Sequence, residues 1–383
     1  MKMKKIFFVL SVFLFLYTAG CDILEEDSSN PEYEEGEKLK NIYANDFLIG
    51  NIINNTYMSG SYFELLTTHY NTVTCENDMK PDYIAPQSNG GNYRWTTADS
   101  IVNKMIANGM KVHGHTFIWH SQTPAWLTSG SNDDVNANLI KYVTDVATHF
   151  KGKIVSWDVV NEAFNDGLSG VTTSSDWKNY LRYSGWNKAS TEDMNYIELA
   201  FRTAREADPG AFLYYNDYSL NDSNKARAVY NMIKELNEKY KDEGNTRNLI
   251  DGVGMQGHYG LWLTPGNLEP IIKNFLSLGI RVDISELDIE DRNTGGNYGT
   301  GKNTVMTEIN KENQARIYAR LFILLKRLNR EYPGQITRVT MWGMDDKNSW
   351  KSSGNPCLFD AGLKPKEAFF AVSNPESYLE SNP

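Results

Sequence analysis

What most limits this chain is an eightfold alternation of short apolar runs with helix-period segments. The runs are Phe47–Ile52, Asn71–Cys75, Lys111–Phe117, Ile154–Val160, Ala211–Tyr215, Asp251–Met255, Arg281–Ser285 and Ile336–Met341. Between them, apolar residues recur every three or four positions, as in Ile101, Val102, Met105 and Ile106 behind Thr97-Ala98-Asp99, with Gly109 as the stop. Helices are predicted over Tyr62–His69, Asp134–Phe150, Thr191–Ala207, Lys225–Lys241, Leu268–Leu278, Lys311–Arg330 and Pro365–Val372. Strands separated by helices pair in parallel, because the chain must cross back before each new strand. Eight such units predict an α/β fold, a single-domain (β/α)8 TIM barrel. An open doubly wound sheet is the fallback, but no Gly-rich phosphate loop follows the first strand.

In such a barrel, polar residues gather where strands end in their following loops. The fourth strand ends in Asn161-Glu162 and the seventh in Glu286-Leu287-Asp288. Glu162 alone reads as a solvated residue at a strand end. Glu286, three strands further round the rim, changes that, since both side chains can lean over one pocket. Facing carboxylates can divide acid–base work on a glycosidic bond, at about 5–5.5 Å for retention and farther apart for inversion. One must be protonated while the other is ionised, so their surroundings must differ. His258, at the end of the sixth strand, and Asp288 can orient and charge-balance Glu286.

The N-terminus reads differently. Lys2, Lys4 and Lys5 precede the apolar run Ile6–Tyr17, and Thr18-Ala19-Gly20 leads to Cys21. That run is too short to span a bilayer and is laid out like a secretory signal. Residues 1–20 are therefore expected to be a lipoprotein-type signal peptide, although Thr18 stands where Leu is usual. Cleavage would leave Cys21 as a lipid anchor, making membrane contact only through that group. The expected location is across the inner membrane, at the cell surface or in the periplasm. Eight acidic residues and no basic one lie between Asp22 and Glu37, so 21–44 is expected to be a flexible acidic tether. The catalytic domain is expected over 45–375, with 376–383 as a C-terminal tail. Losing three lysines leaves 35 basic residues against 48 acidic ones, near −13. That charge excludes nucleic acid as a partner, whose phosphates need a basic face. Cys75 and Cys357 are too few to frame a domain of this size, and their pairing is left open.

Four stretches resemble one family. Glu76-Asn77-Asp78-Met79-Lys80, His115-Thr116-Phe117-Ile118-Trp119-His120-Ser121-Gln122-Thr123-Pro124, Trp157-Asp158-Val159-Val160-Asn161-Glu162-Ala163 and Ser285-Glu286-Leu287-Asp288 are similar to glycoside hydrolase family 10, chiefly endo-β-1,4-xylanases. They fall in order on strands two, three, four and seven, within a resemblance spanning about Asn45 to Val372. It implies Glu162 as acid/base and Glu286 as nucleophile in a retaining double displacement, with His258 bonded to Glu286 and backed by Asp288. It further implies Asn161 on the sugar 2-hydroxyl, and Glu76, Asn77, Lys80, His115 and Gln122 on the non-reducing-side sugars. Gln256, Trp119, Trp342 and Trp350 would wall the cleavage subsite, flat indoles suiting apolar pyranose faces. Tyr218 would stack on the leaving-group side. The implied substrate is xylan or xylo-oligosaccharide, cut by a monomer with no cofactor and no metal.

Competing readings attach to several of these residues. Trp157 is expected in the core, Trp126 in core or site, and His69 and His149 in surface or packing roles on helices. His113-Gly114-His115 also suits a metal hydrolase, since residues two apart on a strand face one way. Metal barrels of that type place the pair on the first strand, however, and here it is on the third. A β-1,4-glucanase or mixed-specificity enzyme, and a non-catalytic surface glycan-binding lipoprotein, are the functional alternatives. The loops 165–190 and 292–307 are expected to shape distal subsites.

Overall fold

The computed structural model describes residues 38–87, 92–191, 193–291 and 305–382. Nine strands are present among them: β1 Leu48–Ile53, β2 Thr72–Cys75, β3 Lys111–Trp119, β4 Ser156–Asn161, β5 Phe212–Asp217, β6 Gly252–Met255, β7 His258–Gly260, β8 Arg281–Glu290 and β9 Ile336–Met341. Every pairing is parallel. β1 bonds to both β2 and β9, and β8 to both β9 and β6, so eight strands close into a (β/α)8 barrel. β7 rides on the upper half of β8, with His258 opposite Asp288. Such strands are covered on both faces, by helices outside and packed side chains inside, which is why β4 is buried along its whole length.

Two glycines make room for what the pocket stands on. A Cβ on Gly114 of β3 would lie 2.1 Å from Trp157 Cε3. Trp157 is fully buried, its ring 4.1 Å from that of Phe117, so it belongs to the core as expected. A Cβ on Gly254 of β6 would meet the Asn216 amide oxygen at 2.3 Å. Cys75 and Cys357 are buried free thiols. His69 packs among Tyr70, Phe359 and Phe369, where burial pushes its imidazole down to about 4. His149 stacks on Trp95 at 3.9 Å and bonds to Asp99. Trp126, left open above, is half-buried against the core and donates to the Ala85 carbonyl at 2.8 Å.

Several boundaries move. β8 runs five residues past the expected Ser285 because Glu286 and Asp288, though charged, point into a closed ring and find partners there. The expected tether 21–44 overlaps structure at its end: Leu39–Ile42 is helical, and Leu39 and Tyr43 are buried, one helical turn apart on one face. Within the expected tail, Pro375–Ser381 forms a helix started by its proline, and Tyr378 and Leu379 pack on Ala315, Ala319 and Ala371. The signal peptide, Cys21 and most of the loop 292–307 lie outside the described residues.

Candidate active site

The pocket forms where β4, β5, β6 and β8 end side by side. β4 stops at Asn161, and Glu162 turns to a left-handed backbone, φ +55°, while its N–H donates to the Asn216 carbonyl at 2.9 Å. A non-glycine residue pays for that conformation only where its surroundings hold it. The side chain is held by neutral donors: Trp119 Nε1 to Oε2 at 2.8 Å and Gln256 Nε2 to Oε1 at 2.9 Å.

Glu286 keeps different company. Its N–H donates to the Gln256 carbonyl at 2.7 Å, fixing β8 against β6. Asn216 Nδ2 donates to Oε1 at 2.8 Å, and His258 Nε2 lies 3.1 Å from Oε2. The other nitrogen of His258 meets Asp288 at 2.8 Å, and Asp288 also accepts from Trp350 Nε1 at 2.9 Å and lies 3.3 Å from Lys351 Nζ. With a carboxylate on each nitrogen, His258 donates from both. Burial alone would lower its pKa, but the charge and hydrogen bond of Asp288, joined by Glu286, push it up to about 9. Burial would raise the Glu286 carboxyl; the His258 hydrogen bond, with the charges of His115 and His258, holds it below the usual glutamate range.

The two carboxylates are joined across the pocket by three amides. Gln256 Nε2 bonds Glu162 and approaches the Asn161 oxygen at 3.4 Å; Asn216 Nδ2 bonds Glu286 and the same oxygen at 2.9 Å. Ser285 Oγ donates to the Asn216 oxygen at 2.6 Å, so the Asn216 nitrogen is the donor toward Glu286 and toward Asn161, whose oxygen is set against it at 2.9 Å. In that orientation the Asn161 nitrogen faces the Trp119 Nε1 donor at 3.2 Å; turned over, it would donate to the Asn216 carbonyl at 3.2 Å and its oxygen would accept from Trp119.

The remaining expected residues divide by strand. On the β2–β3 side, Lys80 Nζ donates to Asn77 at 3.0 Å and to Gln122 at 2.9 Å, and stands 5.0 Å from the Trp119 ring. Burial pulls the Lys80 ammonium below the usual lysine range, against the carboxylates of Glu286, Glu76 and Glu162. Glu76 accepts from Asn54 at 2.8 Å. His115 bonds Asp158 at 2.8 Å with its ring 5.7 Å from Trp342, and His113 shares that carboxylate at 3.0 Å. The His113–His115 pair is thus spent on Asp158. Trp342 is nearly buried, while Trp350 is half exposed and edges onto His258 at 4.8 Å. Tyr218 lies on the β5 side, its hydroxyl bonded to Arg182 at 2.7 Å.

Asn216, Asp158 and His120 were given no role by sequence reasoning. Asn216 is the register partner of Asn161 across β4 and β5, a link visible only once strands are paired. His120 sits beside Glu162 in the wall of a small cavity with Trp119, Arg182, Ser184 and Trp186. The signal that could have found them is their position, each within four residues of a strand end.

The His258 arrangement ties stability to pH. A group at about 9 folded and about 6.5 unfolded stabilises fully below pH 6.5 and loses that contribution as pH rises through 9. The effect is on the order of 3 kcal/mol. The urea midpoint is therefore expected to fall more between about pH 6 and pH 9.5 in the wild type than in His258→Gln. Parallel profiles would remove the ion pair.

A closed parallel barrel holding two linked carboxylates on one rim, one between neutral donors and the other on a charged histidine, is the architecture of a barrel glycoside hydrolase. The sequence profile of Glycosyl hydrolase family 10 matches residues 38–375, and the chain belongs to that family. A β-1,4-xylanase of Dictyoglomus thermophilum is 37% identical over 377 residues, covering 96% of this chain and 98% of its own. Endo-1,4-beta-xylanase A of Thermotoga neapolitana is 37% identical over 361 residues, 91% of this chain but 32% of that longer protein. Among solved structures, a family 10 xylanase with a bacterial Ig-like domain from termite gut superposes with a TM-score of 0.80 at 36% identity, covering 91% of this chain and 80% of that one.

Proposed function

We infer that this chain is an endo-1,4-β-xylanase, cutting internal β-1,4 bonds of xylan with retention by double displacement. Supporting this above all is the contrast between the carboxylates: Glu286 is kept ionised by His258 and Asn216, while Glu162 meets only neutral donors. Glu286 attacks the anomeric carbon as Glu162 gives its proton to the departing oxygen. Glu162 then takes a proton from water, which displaces Glu286 from the glycosyl-enzyme. The Asn161 amide is suited to the 2-hydroxyl, and the Lys80–Asn77–Gln122 trio, with Glu76 and His115, to the hydroxyls of the non-reducing-side sugars. Trp119, Trp342, Trp350 and Gln256 leave little room for the hydroxymethyl group that separates glucose from xylose.

The names carried by the relatives agree with this substrate. Reducing ends released from xylan are expected to exceed those from carboxymethylcellulose by at least about tenfold, the scale on which a tight wall rejects an extra group. Faster release from carboxymethylcellulose would make the enzyme a glucanase. No release from either would leave a glycan-binding lipoprotein.

We further propose export under the N-terminal signal, with the mature protein a monomer anchored by lipid on Cys21. Fatty-acid labelling is expected in the wild type and absent in Cys21→Ser; equal labelling rejects the anchor.

A further inference from the structure

The departing side of the pocket contains a charged cluster that makes no hydrogen bond to either catalytic carboxylate among the described residues, although the charge of Glu162 is felt at Asp217. Lys225 lies in the first turn of a surface helix, Ser223–Asp242, yet it is 1% exposed. Its ammonium lies 2.9 Å from Asp217 Oδ1, 2.9 Å from Asp166 Oδ1 and 3.8 Å from the centre of the Tyr218 ring. A buried lysine is tolerable only with such partners. The Tyr218 hydroxyl donates to Asp166 Oδ2 and accepts from Arg182 Nη2 at 2.7 Å. Arg182 is itself anchored to the Phe164 carbonyl at 3.3 Å. The phenol is thus pinned at its oxygen by two charged groups and covered on one face by a third.

Its place in the ring gives the pin a purpose. Glu162, the proton donor to the leaving oxygen, ends β4. On one side stands β3, whose following residues join the Lys80–Asn77–Gln122 trio; on the other stands β5, and Tyr218 is the first residue beyond it. A ring already immobilised stacks on a sugar without the entropy cost of being ordered.

We propose that Lys225, Asp166 and Arg182 form a charged clamp that holds Tyr218 as a fixed platform for the pyranose on the departing side, and thereby governs whether a sugar or water accepts the glycosyl group. This rests on the retaining mechanism inferred above. In the transfer step, the acceptor hydroxyl oxygen bonds to the anomeric carbon as the ester bond to Glu286 breaks. The hydroxyl proton passes to Glu162, and Glu286 leaves as a carboxylate. Lys225 touches none of these atoms and acts through Tyr218, as a positioning residue.

The experiment uses the full chain with 2,4-dinitrophenyl β-xylobioside as donor and xylobiose as acceptor, and reads the ratio of xylotetraose formed to donor hydrolysed. That ratio divides out any loss of active enzyme. Lys225→Met and Tyr218→Ala are each expected to lower it about tenfold, as the loss of one aromatic stacking contact would. Lys225→Arg keeps the cation but must fit a larger, planar head into a buried, stacked site, so it is expected to lower the ratio less than Lys225→Met does; an equal loss would mean that packing, not charge, holds the ring. Asp166→Asn loosens the same clamp from its half-exposed side, and is expected to lower the ratio even if Lys225→Met fails to fold. An unchanged ratio in folded Lys225→Met or in Asp166→Asn overturns the clamp alone. A first-formed hydrolysis product of inverted configuration overturns the retaining mechanism and the clamp with it, whereas retained configuration with no transfer product in the wild type overturns the clamp alone.

Discussion

Glu286→Ala is expected to lower kcat on xylan by at least about 10⁴-fold while the chain stays folded, because no other described group can form the glycosyl-enzyme. The local cost should be modest. Asn216 Nδ2 keeps its bond to Asn161, and His258 keeps Asp288, the partner with the shorter contact. What is lost is two charge-assisted bonds, from the His258 imidazolium and from Asn216 Nδ2, about 1.5–3 kcal/mol each, offset by no longer burying a carboxylate. The missing carboxylate leaves a gap the size of a small anion, bordered by the same Asn216 and His258 donors. Azide added with an aryl xylobioside is therefore expected to attack the anomeric carbon from that side in a single displacement, giving a glycosyl azide of inverted configuration. Near wild-type turnover, or an azide product with retained configuration, would show that Glu286 is not the nucleophile.

The sequence revealed this site unevenly. Glu162 and Glu286 were legible because a charge at the end of an apolar strand is costly in a core and ordinary at a barrel rim. His258 and Asp288 could be named, but their pairing depends on β7 lying on β8 in a register that local pattern does not contain. Asn216 went unassigned for the same reason: its value comes from touching Asn161 and Glu286 together, seventy residues apart at the farther contact. Sequence alone places Glu286-Leu287-Asp288 at the end of the seventh strand rather than within it, because two carboxylates in three residues are costly inside a core. The closed ring makes it strand by giving both carboxylates partners inside. Lys225 reads as an ordinary first-turn lysine on an amphipathic helix, and only tertiary packing buries it. Periodicity thus carries the barrel, while the roles of polar residues depend on contacts made when distant strands close the ring.

Glu162→Ala should fail in a different way, and the difference is what separates the two carboxylates chemically. On xylan the departing oxygen needs a proton, so kcat is expected to fall by about 10²–10⁴-fold. On 2,4-dinitrophenyl β-xylobioside it needs none. Glu286, still ionised by His258 and Asn216, forms the glycosyl-enzyme and releases dinitrophenol in a burst matching the enzyme concentration. The reaction then stalls, because water has lost the base that would take its proton. Azide requires no base, so it is expected to restore turnover and to yield a glycosyl azide of retained configuration, the opposite stereochemistry to that from Glu286→Ala. Removing the carboxylate also frees Trp119 Nε1 and Gln256 Nε2 on a partly solvated face, where water can satisfy both, so the variant should fold. A burst absent from the folded variant, or equal losses on xylan and on the aryl substrate, would deny Glu162 the acid/base role, since neither pattern follows from losing a proton donor alone.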